Sequence, residues 1–555
     1  MSCHNEVPSG SGMQLSIKIP RSQPRIDEAI QDVKAFEKGS FKDARITSAL
    51  LYMIVKDNMP LNSTDKSGLQ YFVNTAIPLY NIPGRNKITA LIDAKYDYLS
   101  GLMKEKLTAA SNITLTADVW TEIMNTIGYL GITAHFSNNG KISSVTIGVI
   151  ELDERHTAIY LGEMLLTTCN EWDIQLSKVS VVVIDNAANI CRAVCDVFGK
   201  EKQLRCFAHT LNLVPNNVFD ESPNIKELIN KIKNIVTYFK QSVVAADELR
   251  KAQSIDVPLK LLQDVSTRWN STFYMLERFL ILIESVSSSL IKLPKSPQML
   301  TAFEVATINE ILKMFKPFES ISKEICGQKY VTCSKVIPMV NALLHELDAL
   351  NPESDLGKDL KLKLIIELQK RFSDMEFNPI LSIATILDPR FKRLHFCKAL
   401  ACSDAIQRIN KLLVIVQNPD NIENVVPNAD INKNKSYDIW SFHRTLAEKS
   451  QKSNQENESF GGVDLAFRQY LNLNVIDINT DPLEYWERNR HCFSKLAAIA
   501  IKYLSIVATS VPCERIFSCA GNIMDQNRDR TKPERLSKLL FLNSLQFTDW
   551  HLMWE

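Results

Sequence analysis

Residues 179–197 read VSVVVIDNAANICRAVCDV, and this stretch decides the fold class. Val179 to Ile184 is a short apolar run that ends in Asp185, the pattern of a buried strand. A helix is predicted from about Asn189 to Val197. A buried strand running through an acid into a helix is the repeating unit of an α/β sheet.

Upstream, Ile113 to Thr116 alternates apolar and polar residues, as a strand does. Tyr129 to Phe136 is rich in β-formers, Asn139-Gly140 is a strong hairpin signal, and a third strand is expected at Ser144 to Leu152. A helix follows over roughly 156–171, and Leu204 to Phe207 reads as a fifth strand. The order β-β-β-α-β-α-β predicts a mixed sheet with helices packed on it.

Outside this segment the pattern is helical. Residues 1–40 carry Ser, Gly and Pro and read as a flexible tail. Ile46, Leu50, Leu51, Ile54 and Val55 open a helical N-terminal domain over 41–110, with a second helix near 87–107 after Pro83-Gly84. From about 215 to 415 the signal is helical nearly throughout, and 418–460 is a polar stretch that reads as a linker. Beyond it, Phe493, Leu496, Ile499, Ala500 and Leu504 mark one helix, and a last one runs from about Pro533 to Leu545.

Composition narrows the function classes. The 555 residues are 45% hydrophobic and 23% charged, the profile of a folded protein of several domains. The net charge of +1 excludes a small basic DNA coat but not an enzyme with a basic groove. No run approaches the length of a membrane span, and the polar start MSCHNEVPSGSG has no signal-peptide core. The 12 scattered cysteines are therefore expected as thiols.

The chain carries no nucleotide-binding glycine loop, no G-x-S-x-G and no H-E-x-x-H; His345-Glu346 starts like the last, but position 349 is Ala. Asp118 and Asp185 each close a predicted strand, where an Asp either caps a turn or lines a functional edge. Cys206 and His209 form a C-x-x-H, half of a zinc site without the other half. Cys191 and Cys195 share a helix face and read as small core residues. Trp269, in DVSTRWNST, is either a packing residue or a stack for an unpaired base. Residues 515–538 hold six basic and three acidic residues, a net of 6 − 3 = +3, which reads as a solvated helix face.

Taken in order, these segments resemble the hAT transposases (hobo–Activator–Tam) and the related BED-type zinc-finger proteins. The resemblance spans roughly 41–548. It rests on LTADVWT at 115–121, VVVIDNAANI at 181–190, LRCFAHTLNL at 204–213, DVSTRWNST at 264–272 and SVPCERIFSCAGNIMDQNRDR at 510–530. ALLYMIVKDNMPL and YNIPGRNKI, upstream, resemble the helical domain that precedes the family's core.

The resemblance implies an RNase H-like core over 111–214, an all-helical insertion over 215–462 and a C-terminal dimerisation region over 463–548 that completes the core. It implies a catalytic and metal-binding triad of Asp118, Asp185 and Glu514, holding two Mg2+ or Mn2+ ions for DNA cleavage and strand transfer. It implies DNA contacts from Cys206, His209, Arg268, Trp269 and Arg515, with His209 at a phosphate and Trp269 on a distorted base. DNA and a second copy are the expected partners, and the nucleus the expected location. Two departures stand out. Cys513 occupies a position where the family commonly has Ser, and no BED zinc finger can be assembled from Cys3 and His4. A regulator derived from a transposase, without catalysis, and a dimerising interaction protein are the other readings.

Overall fold

The computed structural model describes residues 34–550 apart from 38, 123–125, 139, 254–255, 266–268, 327–330, 416–437, 454–463 and 525–531. Most of the expected tail, including Cys3 and His4, lies outside the described residues, as do Arg268 and most of the expected linker. The chain divides into two units, residues 1–94 with 547–555, and residues 95–546. The division falls inside the helix Arg85–Ala109, not at the boundary near 110 that the pattern suggests.

The smaller unit is helical. Ser40 caps the helix Phe41–Lys56 by accepting from the Asp43 N–H. Leu50, Leu51, Ile54 and Val55 form its buried stripe, at the spacing the sequence predicts. Tyr52 packs edge-on against Phe547 and Trp550, with ring centroids 5.4 and 5.1 Å away.

The larger unit is built around one five-stranded sheet: β1 (Ile113–Glu122), β2 (Ile127–Asn138), β3 (Lys141–Leu152), β4 (Val179–Ile184) and β5 (Gln203–Arg205). The order is β3-β2-β1-β4-β5. The β1–β2 and β2–β3 pairs are antiparallel, and β1–β4 and β4–β5 are parallel. All five expected strands are present, and β1 to β3 each run further than their local pattern indicates. Gly140, at φ 71, makes the hairpin turn where only glycine is unstrained.

Both faces of the sheet are covered. On one face the helices Ala158–Glu171 and Ala188–Phe198 pack together; Thr168 lies so close over Gly148 that an added Cβ would meet it at 3.3 Å. The other face carries Thr114, Thr116, Thr133, His135 and Thr146, all buried. The alternation in β1 looks like a half-solvated strand, yet its polar positions are covered by the helix Val511–Ile523, while Pro533–Ser544 covers β3 on the same face. Hydroxyls are tolerated there because they bond one another: Thr116 to Thr133 at 2.5 Å, and Thr133 to the His135 imidazole at 2.8 Å.

Between β5 and Val511 the described chain is helical, and one continuous apolar core runs from Val181 and Val183 of the sheet through these helices to Ile506 and Val511. The polar stretch at 418–460 needs correction as a linker. Ser441–Ser453 is a helix, and Ile439, Trp440 and His443 are buried beside the Asp388–Arg390 ion pair. No described helix is long and apolar enough to cross a membrane.

Candidate active site

β1 and β4 are adjacent parallel strands from which the chain continues in opposite directions across the sheet, to β2 and β5. Such a switch point opens a crevice at the carboxyl ends of the strands. The last registered pair of these two strands is Ala117 with Ile184, so Asp185 leaves β4 beside Asp118, which stays within β1, still paired with Gly131 of β2. Adjacent strands lie about 4.8 Å apart, which brings both carboxylates to one edge.

Glu514 arrives from the far end of the sequence. Three contacts pin the returning chain to the sheet. Phe207 N–H donates to the Ala508 carbonyl at 2.9 Å, Ala508 N–H donates to Thr332 Oγ1 at 2.9 Å, and Ser510 N–H donates to Cys206 Sγ at 3.3 Å. The helix Val511–Ile523 then docks on β1 and β2. Phe517 lies over Gly131, and its ring stacks on Trp120 at 5.5 Å. Cys513 Sγ sits 3.1 Å from Thr116 Oγ1 and donates toward the Thr116 and Gly131 carbonyls. Gly131 is the cross-strand partner of Asp118, so a helix anchored there brings Glu514 within electrostatic reach of it.

The electrostatics record this convergence. Burial, then the charges of Asp185 and Glu514, push the Asp118 carboxyl up to about 7. Asp118 Oδ1 accepts from the Val119 N–H at 2.9 Å. Asp185 Oδ1 accepts from the Ala187 N–H at 3.0 Å, so this residue caps the turn into its helix, the first of the two readings of a strand-end Asp. The donor set suits a hard divalent cation: three carboxylates whose mutual repulsion such an ion relieves. Among the described residues, however, no group of three or more His, Cys, Asp or Glu side chains is gathered closely enough to share one ion in this conformation.

The remaining expected site residues fall elsewhere. Cys206 is fully buried; its thiol accepts from the N–H groups of His209 and Ser510, and burial pushes its pKa up to about 11. It staples the helix Phe207–Asp220 to the returning chain and has no surface to offer DNA. His209, half-buried in the first turn of that helix, stands close to the edge: its neighbour Thr210 accepts from Asn186, the residue after Asp185, at 3.3 Å.

Trp269 is only 3% exposed and packs among Phe273, Phe315 and Phe318, while its indole N–H donates to Asn212 at 2.9 Å. In this conformation it is a packing residue with no face open to a base, which corrects the stacking expectation. Arg515 is exposed and donates to the Cys326 carbonyl at 2.6 Å, tying its helix to the end of the helix Ala302–Ile325. Arg268 lies outside the described residues.

Sequence reasoning missed Thr116, Gly131, Thr133, His135 and Phe517, which hold Glu514 in place. The only sequence signal for them is the recurrence of Thr at alternate positions, and periodicity alone cannot tell solvent from a covering helix.

Three family models match the chain. The ZBED1 RNase-like domain matches residues 116–209, the ZBED1 RNase-like helical domain residues 204–314, and the hAT family C-terminal dimerisation region residues 466–545. Among curated proteins, the human Zinc finger BED domain-containing protein 4 is 24% identical, over 90% of this chain and 43% of its own length. The human Zinc finger BED domain-containing protein 6 is 25% identical, over 91% and 55% respectively. The Zea mays protein named "Putative AC transposase" is 24% identical, over 92% and 66%. The chain thus spans about half the length of the curated relatives it matches. With RNase-like, helical and dimerisation segments matched in chain order around the carboxylate edge, the chain belongs to the hAT transposase family and its BED-type zinc-finger relatives.

Proposed function

We propose that this protein is a nuclear, self-associating DNA-binding protein of the hAT type, whose Asp118, Asp185 and Glu514 form a site for metal-dependent DNA strand cleavage and transfer. One observation carries the reading: three acids, two from adjacent strands and one from more than 300 residues away, come near enough that burial, then the charges of Asp185 and Glu514, push Asp118 toward neutrality. An arrangement that costs stability in the bare protein is what a cation-loaded site needs.

In this reading the helical region between the sheet and Val511 is an insertion in an RNase H-like core, and 463–548 carries the self-association surface. Asp118, Asp185 and Glu514 would hold Mg2+ or Mn2+, which supplies charge neutralisation at the phosphate and activation of a water or hydroxyl. The protein's own contribution is rigid placement. β1 and β4 fix the two aspartates, and the Cys513 and Phe517 contacts fix Glu514. His209, in the first turn of the helix Phe207–Asp220, would contact a phosphate of the bound strand.

A second reading, a regulator descended from a transposase that no longer cuts, is favoured by the separation of the three acids in this conformation. Nicking of a labelled duplex with Mg2+ or Mn2+ decides between the two. The expected result is cleavage by the wild type that is lost in Asp118→Ala/Asp185→Ala, together with loss of Mn2+ binding in calorimetry. DNA binding without nicking by the wild type selects the regulator.

A further inference from the structure

β1, β3, β4 and β5 all point the same way, so their carboxyl ends share one edge of the sheet. Asp118 and Asp185 lie in the middle of that edge. At its two flanks stand groups that neither the expected site nor the matches assign. Beyond β3, residues Glu154, Arg155, His156 and Thr157 line an open cleft of about 700 Å3 whose far wall is Asn189, in the first turn of the helix that follows Asp185.

The cleft is held in place. Asn189 donates its side-chain amide to the His156 carbonyl at 2.7 Å. The His156 ring lies flush against Gly128 at the start of β2, where an added Cβ would meet it at 2.5 Å. At the opposite flank, Arg205 ends β5 in register with Ile184, one residue before Asp185, and its charge is felt at Cys191 alongside that of Asp185. Arg155 and Arg205 are both exposed, and neither makes an ion pair among the described residues.

We infer that Arg155 with His156, and Arg205 on the other side, grip the phosphates of a DNA strand laid across this edge, over the carboxylates. This rests on the DNA-binding reading above and adds its path and its contacts. His156 lies over Gly128 of β2, and three strand spacings of about 4.8 Å separate β2 from β5, so the two flanks lie roughly 14 Å apart. At about 3.4 Å of rise per nucleotide this is the reach of roughly four nucleotides of one strand. Flanking cations with acids between them let the strand be held on both sides while its central phosphate meets the carboxylates, which without bound cations would repel it. Glu154 is the one acid in the cleft, and Asp153 beside it is occupied by the Tyr160 hydroxyl at 2.6 Å.

The test is fluorescence anisotropy with a labelled 30-mer duplex and the matching single strand, in a fixed concentration of Ca2+ to neutralise the carboxylates, across a salt series. Wild type is compared with Arg155→Ala, Arg205→Ala, the double variant, the double Lys variant and the charge-matched control Arg408→Ala, which sits in an exposed ion pair elsewhere. The double Ala variant is expected to bind about tenfold more weakly and to lower the salt slope by roughly 2, near 0.9 for each lost phosphate contact. The Lys variant is expected to restore most of the binding. An unchanged slope, or an equal loss in Arg408→Ala, overturns this inference while leaving DNA binding in place. No binding by the wild type overturns both readings. The altered side chains are exposed, and thermal melts confirm that each variant is folded.

Discussion

Gly131→Ala tests how Glu514 is held. Gly131 is the cross-strand partner of Asp118, and the Phe517 ring lies directly on it. A Cβ at this position would meet Phe517 Cε1 at 2.7 Å and Cζ at 2.8 Å, where ordinary contact begins near 3.4 Å. The ring must therefore withdraw by 3.4 − 2.7 = 0.7 Å. It cannot simply rotate away, because it is stacked on Trp120, which in turn stacks on Tyr129. The displacement passes to the helix backbone, which carries Glu514 one turn before Phe517. Overpacking of this kind costs about 1–3 kcal/mol. Urea unfolding followed by tryptophan fluorescence measures it. The double variant Gly131→Ala/Phe517→Leu removes the rigid ring and should recover a large part of the loss, a non-additivity of about 1 kcal/mol or more for residues in contact. A single variant within about 0.5 kcal/mol of wild type, the usual range for an unconstrained position, or a double variant no better than the sum of its parts, would refute the idea that Phe517 on Gly131 sets the helix.

Asp118 gives the pH prediction. Its folded pKa, pushed up to about 7, lies above the ordinary carboxyl value of 3.8. Between those values the folded state holds a proton that the unfolded state has released, so stability falls as pH rises from about 4 to about 7 and then levels. Asp118→Asn should therefore melt higher than wild type at pH 8 and equal to it near pH 4; the opposite order in a pH series of thermal melts would remove the convergence of the three acids. Trp269→Ala should destabilise by about 3–5 kcal/mol, as for a large buried aromatic. Trp269→Phe should cost less, chiefly the unmet Asn212 acceptor, at about 1–3 kcal/mol. A DNA-binding defect in Trp269→Phe with unchanged stability would restore a direct role for the indole.

Much of the molecule was legible before folding. Local patterns decide strands and helices wherever neighbours along the chain decide burial. The apolar run ending at Asp185, the Asn139-Gly140 turn and the stripe from Leu50 to Val55 are of this kind. Glu514 was not legible from local pattern; only its place in the motif SVPCERIF pointed to it. The polar stretch 418–460 misled because a polar helix such as Ser441–Ser453 can still bury Trp440 and His443 at its start, and composition averages that away.

The sequence by itself determined the strand order along the chain, Asp185 at the end of β4 and the family, whereas it ended β1 near Asp118, which the structure carries on to Glu122. Those follow from periodicity and from motifs whose residues are near neighbours. Only the tertiary structure decided that the threonine face of the sheet is covered, that Cys206 and Trp269 are buried, and that the charge of Glu514 is felt at Asp118. Each depends on contacts between residues tens to hundreds of positions apart: Ser510 on Cys206, Phe315 and Phe318 on Trp269, Phe517 on Gly131. A side chain's chemistry is written in its own residue, but its solvent exposure is written in whatever the rest of the chain lays over it.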